Sequence, residues 1–385
     1  MSRPFVLAAL LGTPVALASC AQILSYDDYQ ARPASRPDTG TDTAVADVAD
    51  AADTGPAPAR LPTRPAGEAK PSGTGRTLWF GVKRMYLGSQ TSLGVDSADA
   101  WKEWGYDLDK ICTSEADSVR NVGTCRRHPE AQQDWLADGN GCRDNNWGRH
   151  VIALIKLSSE GFEKRVNDGL LEGSNTWLLR LDDVDDTADD PYTPGKFYRA
   201  SEAAKGAVRW DGSDVREIVS DTVIDGSIEK PRADFPKGYI RNHLWVSGDP
   251  ELRSLLLPVS SSLYVPLKLD STIITLELNP DHKSARRAVL AGALPVSSID
   301  DLLRPIASGA GFCPGTPLYQ SLYRSVVRFP DVVIGAPNLQ DTTLECDGIS
   351  LGLGLDVGTI QPVTKVVAPP ATPPDPCGDA GTSGG

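Results

Sequence analysis

Carboxylates are the side chains of this chain best placed to do chemistry, and they gather in two places. The first is Asp182, Asp183, Asp185, Asp186, Asp189 and Asp190, ahead of Pro191; the second joins Asp107 and Asp109 to Asp138, Asn140, Asp144, Asn145 and Asn146. Hard oxygen donors at this density suit calcium, which takes six to eight oxygen ligands. An EF-hand loop beginning at Asp183 needs glycine where Ala188 stands and a bidentate acid where Pro194 stands, so the first cluster is not that motif. A solvated acidic loop is its plainer reading. The second cluster lies among Cys112, Cys125 and Cys142, and a disulfide-framed, poorly patterned loop needs a cation or a bridge to define it. The expected calcium ligands are Asp107, Asp109, Asp144 and Asn145, against simple turn chemistry in which Asp and Asn bond their own backbone.

Other chemistry finds less support. The four histidines, His128, His150, His243 and His282, form no His-Glu-x-x-His run, and no serine sits on a strand-turn-helix elbow. His243, beside Leu244 and Trp245, reads as a strand residue rather than a base. Paired carboxylates for glycoside hydrolysis are abundant in any acidic chain and decide nothing. The eight tryptophans all lie between Trp79 and Trp245. Trp135 and Trp147, if exposed beside polar loops, make a sugar-stacking platform; otherwise they pack beneath those loops. The net charge of −13 repels phosphate, which excludes nucleic acid as a partner and leaves cations or basic partners.

Seven cysteines leave six once Cys20 is set aside, an even number suited to three disulfides in an oxidising compartment. They form two groups, Cys112, Cys125 and Cys142, then Cys313, Cys346 and Cys377. With three in each group, a fully paired set requires a bridge between groups. Cys313 with Cys346 is favoured within the second, and Cys377 is placed to staple the tail. No Cys-x-x-Cys pair supports zinc.

Cys20 ends the run Leu17-Ala18-Ser19-Cys20, after a basic start at Arg3 and an apolar stretch from Phe5 to Ala18 broken by Pro14. That stretch is too short to span a bilayer, which takes about 20 apolar residues. It resembles the lipobox of bacterial lipoproteins. The resemblance implies a signal peptide over 1–19, acylation of Cys20 as the mature N-terminus, and a lipid bilayer as partner. Ala21 stands where many such lipoproteins retained at the inner membrane carry aspartate, so the outer membrane is the expected address. The alternative is an ordinary signal cut near Ala18 to Ala21 with Cys20 left as a thiol. Over the body, Trp210-Asp211-Gly212-Ser213-Asp214 and Cys346-Asp347-Gly348-Ile349-Ser350 are similar to segments of exported lipoproteins of myxobacterial type, a resemblance that implies no particular activity.

The elements that must position these residues are mostly strands. Ile349, Leu351, Leu353, Leu355 and Val357 alternate with Ser350, Gly352, Gly354 and Asp356, so one face is core and the glycines of the other admit a helix or a second backbone at close range. Leu263 to Leu269 and Ile274 to Leu278 read as a hairpin turning at Asp270-Ser271. Leu78–Leu87, Val151–Leu157, Trp177–Leu181, Tyr239–Val246 and Arg287–Leu294 are further strands. Helices are few: one capped by Thr316 and opened by Pro317, one opened by Ser298 with Asp300 and Asp301 and interrupted by Pro305, and one over Glu160 to Leu171. No repeat of 20 to 50 residues emerges. The expected fold is mainly β, a large β-sandwich or jelly-roll-like domain over 76–367 with a few short peripheral helices. Before it lies a disordered tether over 20–75, rich in Ala, Pro, Thr, Asp and Gly, and after it a Pro/Gly-rich tail over 368–385. The expected function is that of a membrane-anchored surface module binding a glycan or envelope protein, with a structural envelope role second and a secreted hydrolase third.

Overall fold

The computed structural model describes residues 59–131, 135–158, 161–174, 176–203, 208–258, 264–309, 311–371 and 374–378. The signal, Cys20 and the tether up to residue 58 lie outside the described residues. The strands are β1 (Arg76–Tyr86), β2 (Cys125–Arg126), β3 (Thr176–Val184), β4 (Gly195–Ala200), β5 (Ile218–Val219), β6 (Val223–Ile224), β7 (Ser227–Pro231) and β8 (Ala233–Phe235). They continue with β9 (Tyr239–Arg241), β10 (Leu244–Val246), β11 (Glu251–Pro258), β12 (Tyr264–Leu278), β13 (Ala285–Pro295), β14 (Asp341–Glu345), β15 (Gly348–Thr359) and β16 (Val366–Val367). The helices are α1 (Glu115–Val119), α2 (Ile152–Ser158), α3 (Phe162–Leu171), α4 (Ile299–Gly309) and α5 (Pro317–Val326).

The protein is mainly β, with a few short helices around one large sheet. Twelve strands join it, in the order β16-β5-β4-β3-β1-β15-β13-β12-β10-β9, with β8 paired to β4 and β11 to β12. Every pairing is antiparallel except β16 with β5. The sheet curls until its β9 end reaches the segment ahead of β4: Asp190 bridges Ile240 of β9, and Thr193 N–H donates to Gly238 O. Its halves therefore face each other across one apolar interior, where Trp177 of β3 donates its indole N–H to Leu256 O of β11 at 2.7 Å.

Strand β15 runs through the middle as its alternation predicts. Ile349, Leu351, Leu353, Leu355 and Val357 are all buried in that interior, and full burial stabilises by about 1.5–3 kcal/mol per large aliphatic chain. On the other face a Cβ at Gly354 would sit 2.2 Å from the Trp104 ring, and one at Gly352 would sit 2.6 Å from the Gly105 backbone. Only glycine lets the segment carrying Trp104 and Gly105 lie flat on the sheet.

Two expected elements differ. The hairpin at Asp270-Ser271 is one continuous strand, β12, with Ser271 at positive φ and its register against β13 shifting between Asp270 and Ile273. A bulge returns the even-numbered apolar residues after it to the face that the odd-numbered ones occupied before it. Val151–Leu157 is helical, a π turn over Trp147–Val151 running into α2, because a short apolar run fits a buried helix as well as a strand. Thr316 caps α5 as expected, accepting from Tyr319 N–H, and α4 continues through Pro305 to Gly309.

Three disulfides hold the domain: Cys112–Cys142, Cys125–Cys346 and Cys313–Cys377. The favoured Cys313–Cys346 pair does not form. Instead Cys346 lies beside Cys125, where β2 and β14 run parallel, and Cys313 takes Cys377, stapling the tail. Residues 59–75, read as tether, are docked on the domain: Tyr239 OH donates to Pro62 O at 2.5 Å and Ser72 Oγ to Asp183 at 2.8 Å. No helix among the described residues is long and apolar enough to cross a membrane, and the three disulfides place the domain outside the reducing cytoplasm.

Candidate metal centre

The segment Trp104–Asp109 leads into the site. Trp104 stacks on Tyr86 and rests on Gly354, while Tyr106 is buried with its hydroxyl 2.7 Å from Thr275 Oγ1. Gly105, at φ +104, brings the chain against β15 and against Asp144 O, where a Cβ would lie 2.8 Å away. Asp144 N–H donates to Tyr106 O at 3.0 Å, so two irregular stretches run side by side with Asp107 and Asp109 on one and Asp144 on the other. The Cys112–Cys142 disulfide clamps those same stretches just beyond the acids.

This packing brings Asp107, Asp109 and Asp144 together: one oxygen of each lies within 4.8 Å of the others, and all three are at most 2% exposed. Opposed ligands of a calcium ion are separated by about 4.6–5.2 Å, twice its bond length, so this spread fits one ion. Asp144 Oδ2 accepts from Leu108 N–H at 2.6 Å, and Asp109 accepts from Ile111 N–H at 2.7 Å and from the Thr124 hydroxyl. Asp107 Oδ2 accepts from Arg60 Nε at 2.8 Å, but its Oδ1 is buried with no hydrogen-bond partner among the described residues.

Two further carboxyls surround the three. Asp138 accepts from Thr113 N–H at 2.6 Å, and Asp331 from Ser350 N–H at 2.7 Å and from the Ser350 hydroxyl. Burial, reinforced by the neighbouring acids, pushes Asp138 up to about 8 and Asp331 up to about 7. Burial likewise lifts Asp109 to about 6, against the hydrogen bonds from Thr124 and Ile111, and holds Asp144 well above the carboxylate range. The basic groups turned toward the acids are Arg60 on Asp107 and Lys110, whose Nζ donates to Asp107 O at 2.7 Å. Buried charge requires pairing, protonation or a metal.

The remaining expected site residues fall elsewhere. Asn145 is not turned to the acids: its Oδ1 accepts from Gly148 and Gly352 N–H at 3.0 and 2.9 Å, and its amide donates to Trp101 O. It ties the site to β15, as Asn146 does through Ser350 Oγ. Trp135 and Trp147 are buried in the main core, Trp135 against Phe329, because the loops above them are closed by these same asparagines; they offer no stacking platform. Asp182–Asp190 disperses rather than converging. Asp182 pairs with Arg180 and Lys196, Asp186 with Arg76 and Asp189 with Arg241, while Asp183 binds the docked N-terminal strap. His243 stands in the β9–β10 turn at positive φ rather than in a strand, its Nδ1 2.8 Å from His282 Nε2.

Sequence reasoning missed Arg60 and Asp331. No local pattern marks either; the fold brings them in from 47 residues before Asp107 and 19 before Ser350. No family model matches the chain, and no curated protein or solved structure is significantly similar to it.

Proposed function

We propose that the chain is an exported lipoprotein, anchored in the outer membrane by acylated Cys20, whose β domain is a binding module organised by calcium at Asp107, Asp109 and Asp144. The observation that carries the calcium reading is the orphaned oxygen of Asp107 inside a buried group of carboxylates. A divalent ion satisfies that oxygen and neutralises acids that must otherwise keep protons near pH 7. The Cys112–Cys142 clamp holds both ligand-bearing stretches, so the ion and the disulfide together define loops that have little apolar patterning of their own. With Trp135 and Trp147 in the core, an envelope protein recognised through these ordered loops suits the domain better than a stacked sugar.

Calorimetric titration of CaCl2 into chelator-treated, disulfide-bonded domain tests the site. One ion per chain is expected. Asp144→Asn, which keeps an oxygen acceptor for the Leu108 N–H, should abolish binding while preserving the fold. Equal heats from both proteins, or none from the wild type, would sink the reading. The anchor is tested separately by mass spectrometry of the mature N-terminus: an acylated Cys20 supports it, and an unmodified residue or another cut site removes it.

A further inference from the structure

The carboxylates of the proposed centre are shut off from water, and what covers Asp107 comes from the N-terminal strap that leads toward the anchor. Arg60 Nε lies 2.8 Å from Asp107 Oδ2, with the Arg60 side chain 69% exposed and that of Asp107 fully enclosed. Ala59 O accepts from Asp107 N–H at 2.9 Å, so backbone and side chain of the strap hold the same residue. Two residues on, the hold passes to other elements: Pro62 O takes the Tyr239 hydroxyl, and Arg64 donates to Pro191 O at 2.6 Å while lying over the Tyr239 ring. Ala59–Leu61 can therefore lift without undoing the attachment at Pro62–Arg64, provided that Leu61 gives up its packing against the clusters of Tyr106 and of Tyr239, Leu244 and Val246.

We infer that Arg60 is a resident counter-cation and a divalent ion its competitor, so that an ion binding at Asp107 releases the Ala59–Leu61 end of the strap, and docking of the strap weakens the ion. The inference rests on the calcium reading above. Two cations on opposite oxygens of one enclosed carboxylate repel each other across a few ångström of poorly solvated protein, more strongly than the same pair in open water. Coupling of this kind is reciprocal: whatever factor Arg60 takes from the ion's affinity, the ion takes from the docking of Arg60. The enclosure of Asp107 gives Arg60 a second effect, since an entering ion meets it first.

The sequence supplies a reporter. Every lysine and arginine before β1 is followed by proline, as in Arg3-Pro4, Arg32-Pro33, Arg36-Pro37, Arg64-Pro65 and Lys70-Pro71, with the single exception of Arg60-Leu61. Trypsin does not cut before proline, so between the N-terminus and Arg76 only Arg60–Leu61 can be cleaved. That cut separates the domain from everything upstream, the cysteine anchor included.

The test uses the full mature chain with its disulfides intact, treated with trypsin in EDTA and in CaCl2, alongside calcium titration of wild type and Arg60→Gln. Calcium should speed cleavage after Arg60 at least tenfold, and Asp144→Asn should show no such acceleration, which controls for the effect of calcium on trypsin. Arg60→Gln should bind calcium at least tenfold more tightly, about 1.4 kcal/mol. Wild-type affinity in Arg60→Gln together with calcium-independent cleavage overturns the latch and leaves the site standing. Failure of the wild type to bind calcium at all overturns the site itself.

Discussion

Removing calcium should make the stability of this domain fall as pH rises through neutrality, against the behaviour of proteins held by ionised carboxylates. Asp138 and Asp331 are pushed up to about 8 and about 7 by burial, whereas an unfolded chain releases these protons near pH 4. Between those limits the folded state holds more protons than the unfolded state, and stability declines with increasing pH by about 1.4 kcal/mol per unit per proton retained. His150 acts in the opposite sense. Buried and stacked on Phe329, its imidazole resists protonation, so the unfolded state binds the extra proton and stability is lost only as pH falls below about 6.5. The interval from about pH 6.5 to 8 isolates the acids. Across it Asp138 and Asp331 together contribute a loss of about 2–3 kcal/mol, which lowers the melting temperature by roughly 3–5 °C in a domain of this size. Calcium forces its ligands to ionise and compensates their neighbours, so saturating ion should flatten the slope and add about 2.7 kcal/mol at a hundredfold excess over the dissociation constant. Differential scanning calorimetry at half-unit pH intervals, in EDTA and in calcium, measures both. A melting temperature in EDTA that stays level or climbs from pH 6.5 to 8 refutes the reasoning.

Other consequences are open to direct measurement. Asp144→Asn removes a group that without the ion is held protonated by burial, so in EDTA it should shallow the fall in melting temperature as pH rises while abolishing the response to calcium; an unchanged slope in EDTA would mean that the carboxylate is already compensated. His150→Phe should flatten the acid limb, gaining about 1–2 kcal/mol at pH 5 relative to pH 7 by chemical denaturation. Gly354→Ala drives a methyl into the Trp104 ring and should cost about 1–3 kcal/mol, with a loss of near-ultraviolet circular dichroism if Trp104 is displaced. Replacing Cys125 and Cys346 by serine opens a 221-residue separation and should cost about 5 kcal/mol on chain entropy, against about 4 for Cys112 and Cys142 at a separation of 30; the second pair should nevertheless weaken calcium more.

The strands were legible where a two-residue alternation ran unbroken, as along β15, because burial of one face fixes the register. At Asp270-Ser271 the alternation changes phase, and phase alone does not separate a turn from a bulge; the pairing of β12 with β13 on both sides of the break decides it. Val151–Leu157 is apolar at every position but Lys156, although only Val151, Ile152 and Ile155 are buried, so its residue types carry no information about helix or strand. The meeting of Asp107, Asp109 and Asp144 was foreseeable from the framing cysteines, since a disulfide between Cys112 and Cys142 draws the two stretches together. Asn145 was misread because it follows Asp144 in sequence whereas its neighbours in space are backbone amides of β15 and the π turn. Arg60, Asp331 and the Cys125–Cys346 bridge are products of chain topology, set by contacts with no local signature.

Whether one divalent ion sits between the three buried aspartates is tested most directly by an anomalous difference map from crystals of the domain grown in calcium and soaked in terbium. One strong peak is expected about 2.3–2.6 Å from carboxylate oxygens of Asp107, Asp109 and Asp144. Well-ordered carboxyls hydrogen-bonded to one another, with no peak between them at millimolar ion, would contradict it.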